Sequence, residues 1–180
     1  MRSAMSAFAV HAKRAAVRYL EKIVSRAQLV TIAADARRAG RRIVFTNGCF
    51  DLLHVGHVRY LQAARALGDA LAVAINGDDS VRALKGEGRP LNTEADRAEV
   101  VAALDCVDYV VIFQQVRLTP VIGKVRPSTY VKGGDYTPAS LDPEERAALE
   151  KIGAEIRIVP FEPGHSTSGL LERIKKLSSG

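Results

Sequence analysis

The chain has 180 residues, 47% of them hydrophobic and 26% charged, with a formal net charge of +6. That is the size and balance of one globular domain with its own core. It is too apolar to stay disordered, and it lacks the ~18 consecutive apolar residues of a membrane span. The charge is uneven: residues 1–42 carry ten Lys and Arg against Glu21 and Asp35, whereas the rest carries 16 against 18. The surplus that invites a polyanion reading therefore belongs to the N-terminal segment.

Residues 1–41 read as a basic, helix-prone segment, and residues 42–180 as one further domain. The first twenty residues lack a long apolar stretch followed by a small-residue cleavage pattern, so an amphipathic helix or a poorly ordered leader is expected rather than a secretion signal. From residue 42 on, apolar and β-branched runs predict strands at Arg42–Thr46, Ala70–Asn76, Asp108–Phe113, Thr129–Lys132 and Ala154–Val159. Helical spacing predicts helices between them, at His57–Leu67, Thr93–Leu104, Thr119–Val125, Pro143–Ile152 and Ser166–Leu177. Strands that are apolar without alternation, separated by helices, mean βαβ units around a buried parallel sheet. The expected class is α/β: a Rossmann-like, doubly wound, mainly parallel five-stranded sheet with helices on both faces. Its ligand crevice should lie beyond the strand C-terminal ends, where strand order reverses. Cys49 and Cys106 show neither disulfide-scaffold nor metal-ligand spacing. With no targeting signal, a cytoplasmic protein is expected, without a membrane partner.

The chemistry concentrates after the first strand, in Thr46-Asn47-Gly48-Cys49-Phe50-Asp51-Leu52-Leu53-His54-Val55-Gly56-His57. Two histidines flank a glycine at the entry to a helix. A helix N-terminus offers free backbone N–H groups and partial positive charge, two imidazoles add donors, and Gly56 permits close approach of a ligand. The arrangement suits a phosphate, above all a phosphorus centre gaining charge during displacement.

This run resembles the signature of the HxGH nucleotidyltransferase superfamily, and within it the bacterial heptose 1-phosphate adenylyltransferases. The resemblance extends from about Lys22 to Lys176. It includes Leu84-Lys85-Gly86, Arg89-Pro90-Leu91-Asn92, Arg97, Val131-Lys132-Gly133-Gly134-Asp135-Tyr136 and Ser166-Thr167-Ser168. It implies transfer of the adenylyl group of ATP to a sugar 1-phosphate, with release of pyrophosphate. Mg²⁺ would bridge the nucleotide phosphates rather than sit in a protein cage.

Under that resemblance His54, His57 and Lys85 are the catalytic candidates, Lys85 as a mobile cation in the loop LKGEGRP. Thr46, Asn47, Gly48, Phe50, Gly56, Arg97, Lys132, Gly133, Asp135, Ser166, Thr167 and Ser168 would bind nucleotide. Asp51, Arg89 and Asn92 would meet the substrate phosphate or sugar. Several of these keep a plainer reading: Asp51 as a loop cap, Arg97 as a surface helix arginine, Ser166 as a helix cap. His165 can contact phosphate or simply pack.

The resemblance further implies a separate heptose 7-phosphate kinase as pathway neighbour; a homo-oligomer is also expected, with the N-terminal helix as a candidate contact. Two other readings compete. Cytidylyl or FMN-adenylyl transfer belongs to the same superfamily, although cytidylyltransferases usually carry an arginine where this chain has Asp105. Nucleic-acid binding through residues 11–26 lacks aromatic interleaving and a base-reading motif, so no nucleic-acid partner is expected.

Overall fold

The computed structural model describes residues 18–134, 136–137, 140–160 and 167–178, except for the side chains of Ser168, Lys175 and Ser178. Five strands form a parallel sheet in the order β3-β2-β1-β4-β5. They are β1 Ile43–Gly48, β2 Ala70–Asn76, β3 Tyr109–Phe113, β4 Thr129–Gly133 and β5 Glu155–Val159. The helices bounded among the described residues are α1 Arg26–Arg38, α2 Val55–Arg65, α3 Asp78–Lys85, α4 Glu94–Ala102, α5 Thr119–Val125, α6 Pro143–Lys151 and α7 Thr167–Ser178. The order runs outward from β1 in both directions, so the switch point falls between β1 and β4.

Both sheet faces are covered, which explains the unbroken apolar strands. Ile43, Phe45, Ala72, Ala74 and Val111 point to one face, with Leu29 and Ala33 of α1, Ile122 of α5 and Leu149 of α6. Val44, Leu71, Val73, Ile75 and Val110 point to the other, with Leu61 and Ala64 of α2 and Val101 of α4.

Charge alone set a boundary at residue 41, but packing shows no break there. Helix α1 starts at the Ser25/Gln28 capping box and buries Leu29, Ala33 and Ala36 in the main core. Just before it, Ile23 pairs in parallel with Val110, and Val24 N–H donates to Val110 O at 2.8 Å, so this stretch covers the β3 edge. The apolar face of α1 outweighs its arginines, which stay exposed.

Helix α3 has no counterpart among the expected helices, and it takes in Leu84 and Lys85, the first two residues of the expected loop LKGEGRP. Lys85 is its last residue, and Gly86 (φ +89°) closes it in a backbone region that favours glycine. The start of α3 is crowded and acidic. Asp78 and Asp79 occupy its first turn, Glu94 Oε2 accepts from Asp78 N–H at 2.8 Å, and a Cβ on Gly77 would meet the Gln114 side chain at 2.0 Å. Among the described residues no helix is long and apolar enough to cross a membrane.

Candidate active site

A pocket of about 850 Å³ opens at the C-terminal end of the sheet, within the range of small-ligand sites. Its floor is Asn47, Gly48 and Cys49 from β1 and the following turn. Phe50, Asp51, His57 and Tyr60 stand on one side, Lys85 and Arg89 toward β2, and Lys132, Gly133 and Thr167 toward β4.

The HxGH element forms the start of α2. His54 is its N-cap in extended conformation, and no acidic residue occupies the first turn. His54 N–H donates to His57 Nδ1 at 3.3 Å. That bond makes Nδ1 an acceptor, so the proton of a neutral imidazole sits on Nε2 and can be donated. The two rings lie 4.0 Å apart between centroids, and Phe50 packs on His57 at 5.6 Å. Side-by-side donation was expected of the pair. Here His57 borders the pocket and His54 does not, because the N-cap precedes the helical turn that faces it.

Burial, with the neighbouring His54 adding to it, pushes His57 down to about 4. The folded protein therefore favours the neutral ring. This contribution to stability is complete above the ordinary histidine value of 6.5 and is lost as pH falls from there to about 4. In an NMR titration of the ligand-free protein, the His57 Cε1–H signal is expected to shift with a midpoint near 4. A midpoint near 6.5 would sink the desolvated-donor description.

Gly48 is required by the same packing: a Cβ there would lie 2.9 Å from the Phe50 ring. Phe50 itself holds a φ of +49°, an uncommon conformation for a bulky residue. Gly56 is buried within the first turn of α2.

Several residues expected to touch ligand are instead committed to the protein. Thr46 Oγ1 lies 2.6 Å from the Tyr60 hydroxyl, which donates to Val131 O at 3.0 Å. Since the phenol proton goes to Val131, Thr46 is the donor to Tyr60, and the trio pins α2 onto β1 and β4. Burial pushes the Tyr60 phenol well up. Arg97 is 2% exposed. Its guanidinium donates to the carbonyls of Cys49, Asn76 and Asn92 and pairs with Asp78 at 2.8 Å. It is neither a surface arginine nor part of the pocket lining: it ties the turn after β1, the β2–α3 junction and the loop before α4 together.

Asp51 is likewise occupied. Its carboxylate accepts from Leu91 N–H and Asn92 N–H and pairs with Arg89 Nη2 at 2.9 Å. Asn92 Nδ2 donates back to Asp51 O, and the Asn92 side chain does not line the pocket. The loop-cap reading of Asp51 therefore prevails over a free carboxylate. Arg89 keeps its place, with Nη1 buried at the pocket and without a partner among the described residues.

On the β4 side, Lys132 Nζ donates to Asn47 Oδ1 at 2.7 Å and lies 5.1 Å from the centre of the Tyr136 ring. Burial pushes this lysine down, and the charge of Glu145 opposes that shift. Thr167 opens α7 and donates to Leu52 O at 3.4 Å. Asp135, His165, Ser166 and the Ser168 side chain lie outside the described residues.

Sequence reasoning missed Tyr60, Tyr130, Glu145, Arg117 and Asp142, all near or lining the pocket. Only the helical offset of Tyr60, three residues beyond His57, could have flagged one of them. Among the described residues no group of three or more His, Cys, Asp or Glu could hold a metal ion.

Comparison with known proteins agrees with this geometry. The pattern of the cytidylyltransferase-like family matches residues 45–173. "Bifunctional protein HldE" of Pelobacter propionicus is 49% identical over 153 residues, which is 85% of this chain and 31% of that protein. The Methylococcus capsulatus protein of the same name is 48% identical over 169 residues, 94% of this chain and 35% of that one. The chain thus spans about a third of the length of these curated relatives. Among solved structures, a lipopolysaccharide core biosynthesis protein from Thermoplasma volcanium superposes with a TM-score of 0.57 at 27% identity, over 68% of this chain and 98% of that one. A pantoate-beta-alanine ligase from Francisella tularensis, complexed with beta-gamma ATP and beta-alanine, shares the fold (TM-score 0.54, 14% identity, 82% of this chain and 69% of that one). With the family pattern spanning more than half of the sequence and the pocket built around its HxGH element, the chain belongs to the cytidylyltransferase-like family and is a nucleotidyltransferase.

Proposed function

We propose that this chain transfers the adenylyl group of ATP to a sugar 1-phosphate of the heptose class, D-glycero-β-D-manno-heptose 1-phosphate, giving ADP-heptose and pyrophosphate. The observation that carries the reading is His57 at the pocket, its Nδ1 held by the His54 amide, at a helix start whose first turn holds no acidic residue. An anionic phosphate oxygen of the acceptor attacks the α-phosphorus in line. The bond from that phosphorus to the bridging oxygen breaks, and pyrophosphate leaves with the electron pair. The nucleophile is already ionised, so no general base is needed. Catalysis is then positioning and stabilisation of charge on the phosphoryl oxygens.

His57 would donate to those oxygens, and Lys85, Arg89 and Lys132 would supply positive charge on either side of β1. Thr167 and its neighbours at the start of α7 would hold the distal phosphates. Mg²⁺ would enter with the nucleotide, supplying further charge neutralisation. The Asp51 carboxylate, at the pocket wall, already accepts from the Leu91 and Asn92 amides and pairs with Arg89. A cytoplasmic setting, a heptose 7-phosphate kinase upstream and a homo-oligomer complete the reading. The identity of 48–49% to the HldE proteins and the likeness to the Thermoplasma lipopolysaccharide core biosynthesis protein support it.

The family description favours one second reading, cytidylyl transfer. A screen of ATP and CTP with Mg²⁺ against a panel of phosphate acceptors, read by pyrophosphate release, separates the two. Turnover is expected with ATP and heptose 1-phosphate. Release with CTP and none with ATP overturns the adenylyl assignment.

A further inference from the structure

The described part of the pocket is lined by two buried carboxylates, Asp51 and Glu145. Asp51 has an ion-pair partner in Arg89. Glu145 has a different setting. It lies in the first turn of α6, 7% exposed, and Oε1 accepts from Leu118 N–H at 2.8 Å. Its Oε2 lies 3.4 Å from the Tyr130 hydroxyl. That hydroxyl is also 2.7 Å from Asn47 Oδ1, which is the atom that receives Lys132 Nζ at 2.7 Å. Glu145, Tyr130, Asn47 and Lys132 therefore lie in one row of polar groups from α6 through β4 and β1 to the pocket, with the single Tyr130 proton facing two acceptors.

We propose that Glu145 and Tyr130 are positioning residues for Lys132: the Glu145 charge, facing Lys132 across Tyr130 and Asn47, favours its ammonium at the β4 side of the pocket, and the Tyr130 hydroxyl holds Asn47 Oδ1 toward it, while the other Glu145 oxygen fixes the β3–α5 connection that carries Val116 and Arg117 to the same pocket. A buried anion needs compensation, and one retained beside an anion-binding pocket weakens that pocket unless it serves a cation there. Lys132 is the lysine this chain of contacts reaches. The Tyr130 phenol proton sits between two acceptors with the shorter contact to Asn47, so Asn47 Oδ1 receives two donors and has little freedom to turn. The negative charge at Glu145 favours the ammonium form of a lysine that burial alone would discourage.

The test is a double-mutant cycle on nucleotidyl transfer, using the substrate pair that the screen above identifies. Glu145→Gln keeps an acceptor for Leu118 N–H and removes the charge. It is expected to lower kcat/KM at least tenfold in the native background, and less than twofold when Lys132 is already Gln. An undiminished loss in the Lys132→Gln background, or near-native activity of the single variant, overturns the proposal. Tyr130→Phe removes the connecting hydroxyl and should follow the same pattern, which keeps the test decisive if Glu145→Gln does not fold. This arm rests on the nucleotidyl-transfer reading. A second arm does not: acetylation of Lys132 by acetic anhydride, followed by peptide mass spectrometry in the native protein and both variants. Labelling is expected to rise at least threefold in the variants, and unchanged labelling in a folded variant overturns the positioning role whatever the substrate.

Discussion

Replacing His57 by alanine is expected to lower turnover by about 10²–10³-fold, the loss typical of removing one preorganised donor to a developing oxyanion. The geometry concentrates that effect on one atom. Nδ1 is held by the His54 amide, so only Nε2–H faces the pocket, and Phe50 fixes the ring plane. The ring makes few structural bonds, so the melting temperature should stay within a few degrees. His57→Gln, which can offer an N–H from a different position, should recover only part of the loss. The measurement is kcat by pyrophosphate release together with a thermal melt. Near-native kcat in the alanine variant would remove His57 from the catalytic machinery.

Arg97→Ala is expected to act on the fold rather than first on chemistry. The substitution strips the Cys49, Asn76 and Asn92 carbonyls of a buried partner and leaves Asp78 without its ion pair. Breaking a buried charged network from one side costs about 3–5 kcal/mol. For a domain of this size that corresponds to a fall in melting temperature of roughly 10 °C. Arg97→Lys retains the charge but has no fork to span three carbonyls, and should fall in between. The check is a thermal or urea melt of both variants. An alanine variant that melts within 2 °C of the native protein would contradict the clasp.

The strands and most helices were legible because the sheet is buried on both faces. Val44 and Phe45 point to opposite cores, and each finds helices there, so the run could stay apolar throughout. The HxGH element was legible because its residues are local in sequence. The protein contacts of Thr46, Asp51 and Arg97 were not legible for the opposite reason. Their partners lie 14 to 48 residues away, at Tyr60, Leu91, Asn92 and Cys49, and spacing in the chain says nothing about which oxygen meets which N–H. Glu145 was invisible for a related reason. In sequence it is one of two adjacent acids in an amphipathic helix, and only tertiary packing turns it inward while its neighbour Glu144 stays less buried. Helix α3 was hidden by the glycines that cap it.

The two helices that begin along the pocket side of β1 and β2 differ in how their starts are furnished. Helix α2 begins with imidazoles and glycine, whereas α3 begins with Asp78, Asp79 and the Glu94 carboxylate seated on its first amide. Parallel α/β sheets present such a helix start after each strand, and every one is a potential docking point for a polyanion. Here the neighbouring berth is already filled by the protein's own acids, and they are themselves compensated, Asp78 by Arg97 and Asp79 by Arg82. With Glu94 on its first amide, that helix start no longer offers the bare positive end an anion seeks, so the fold closes one of its own docking points from within.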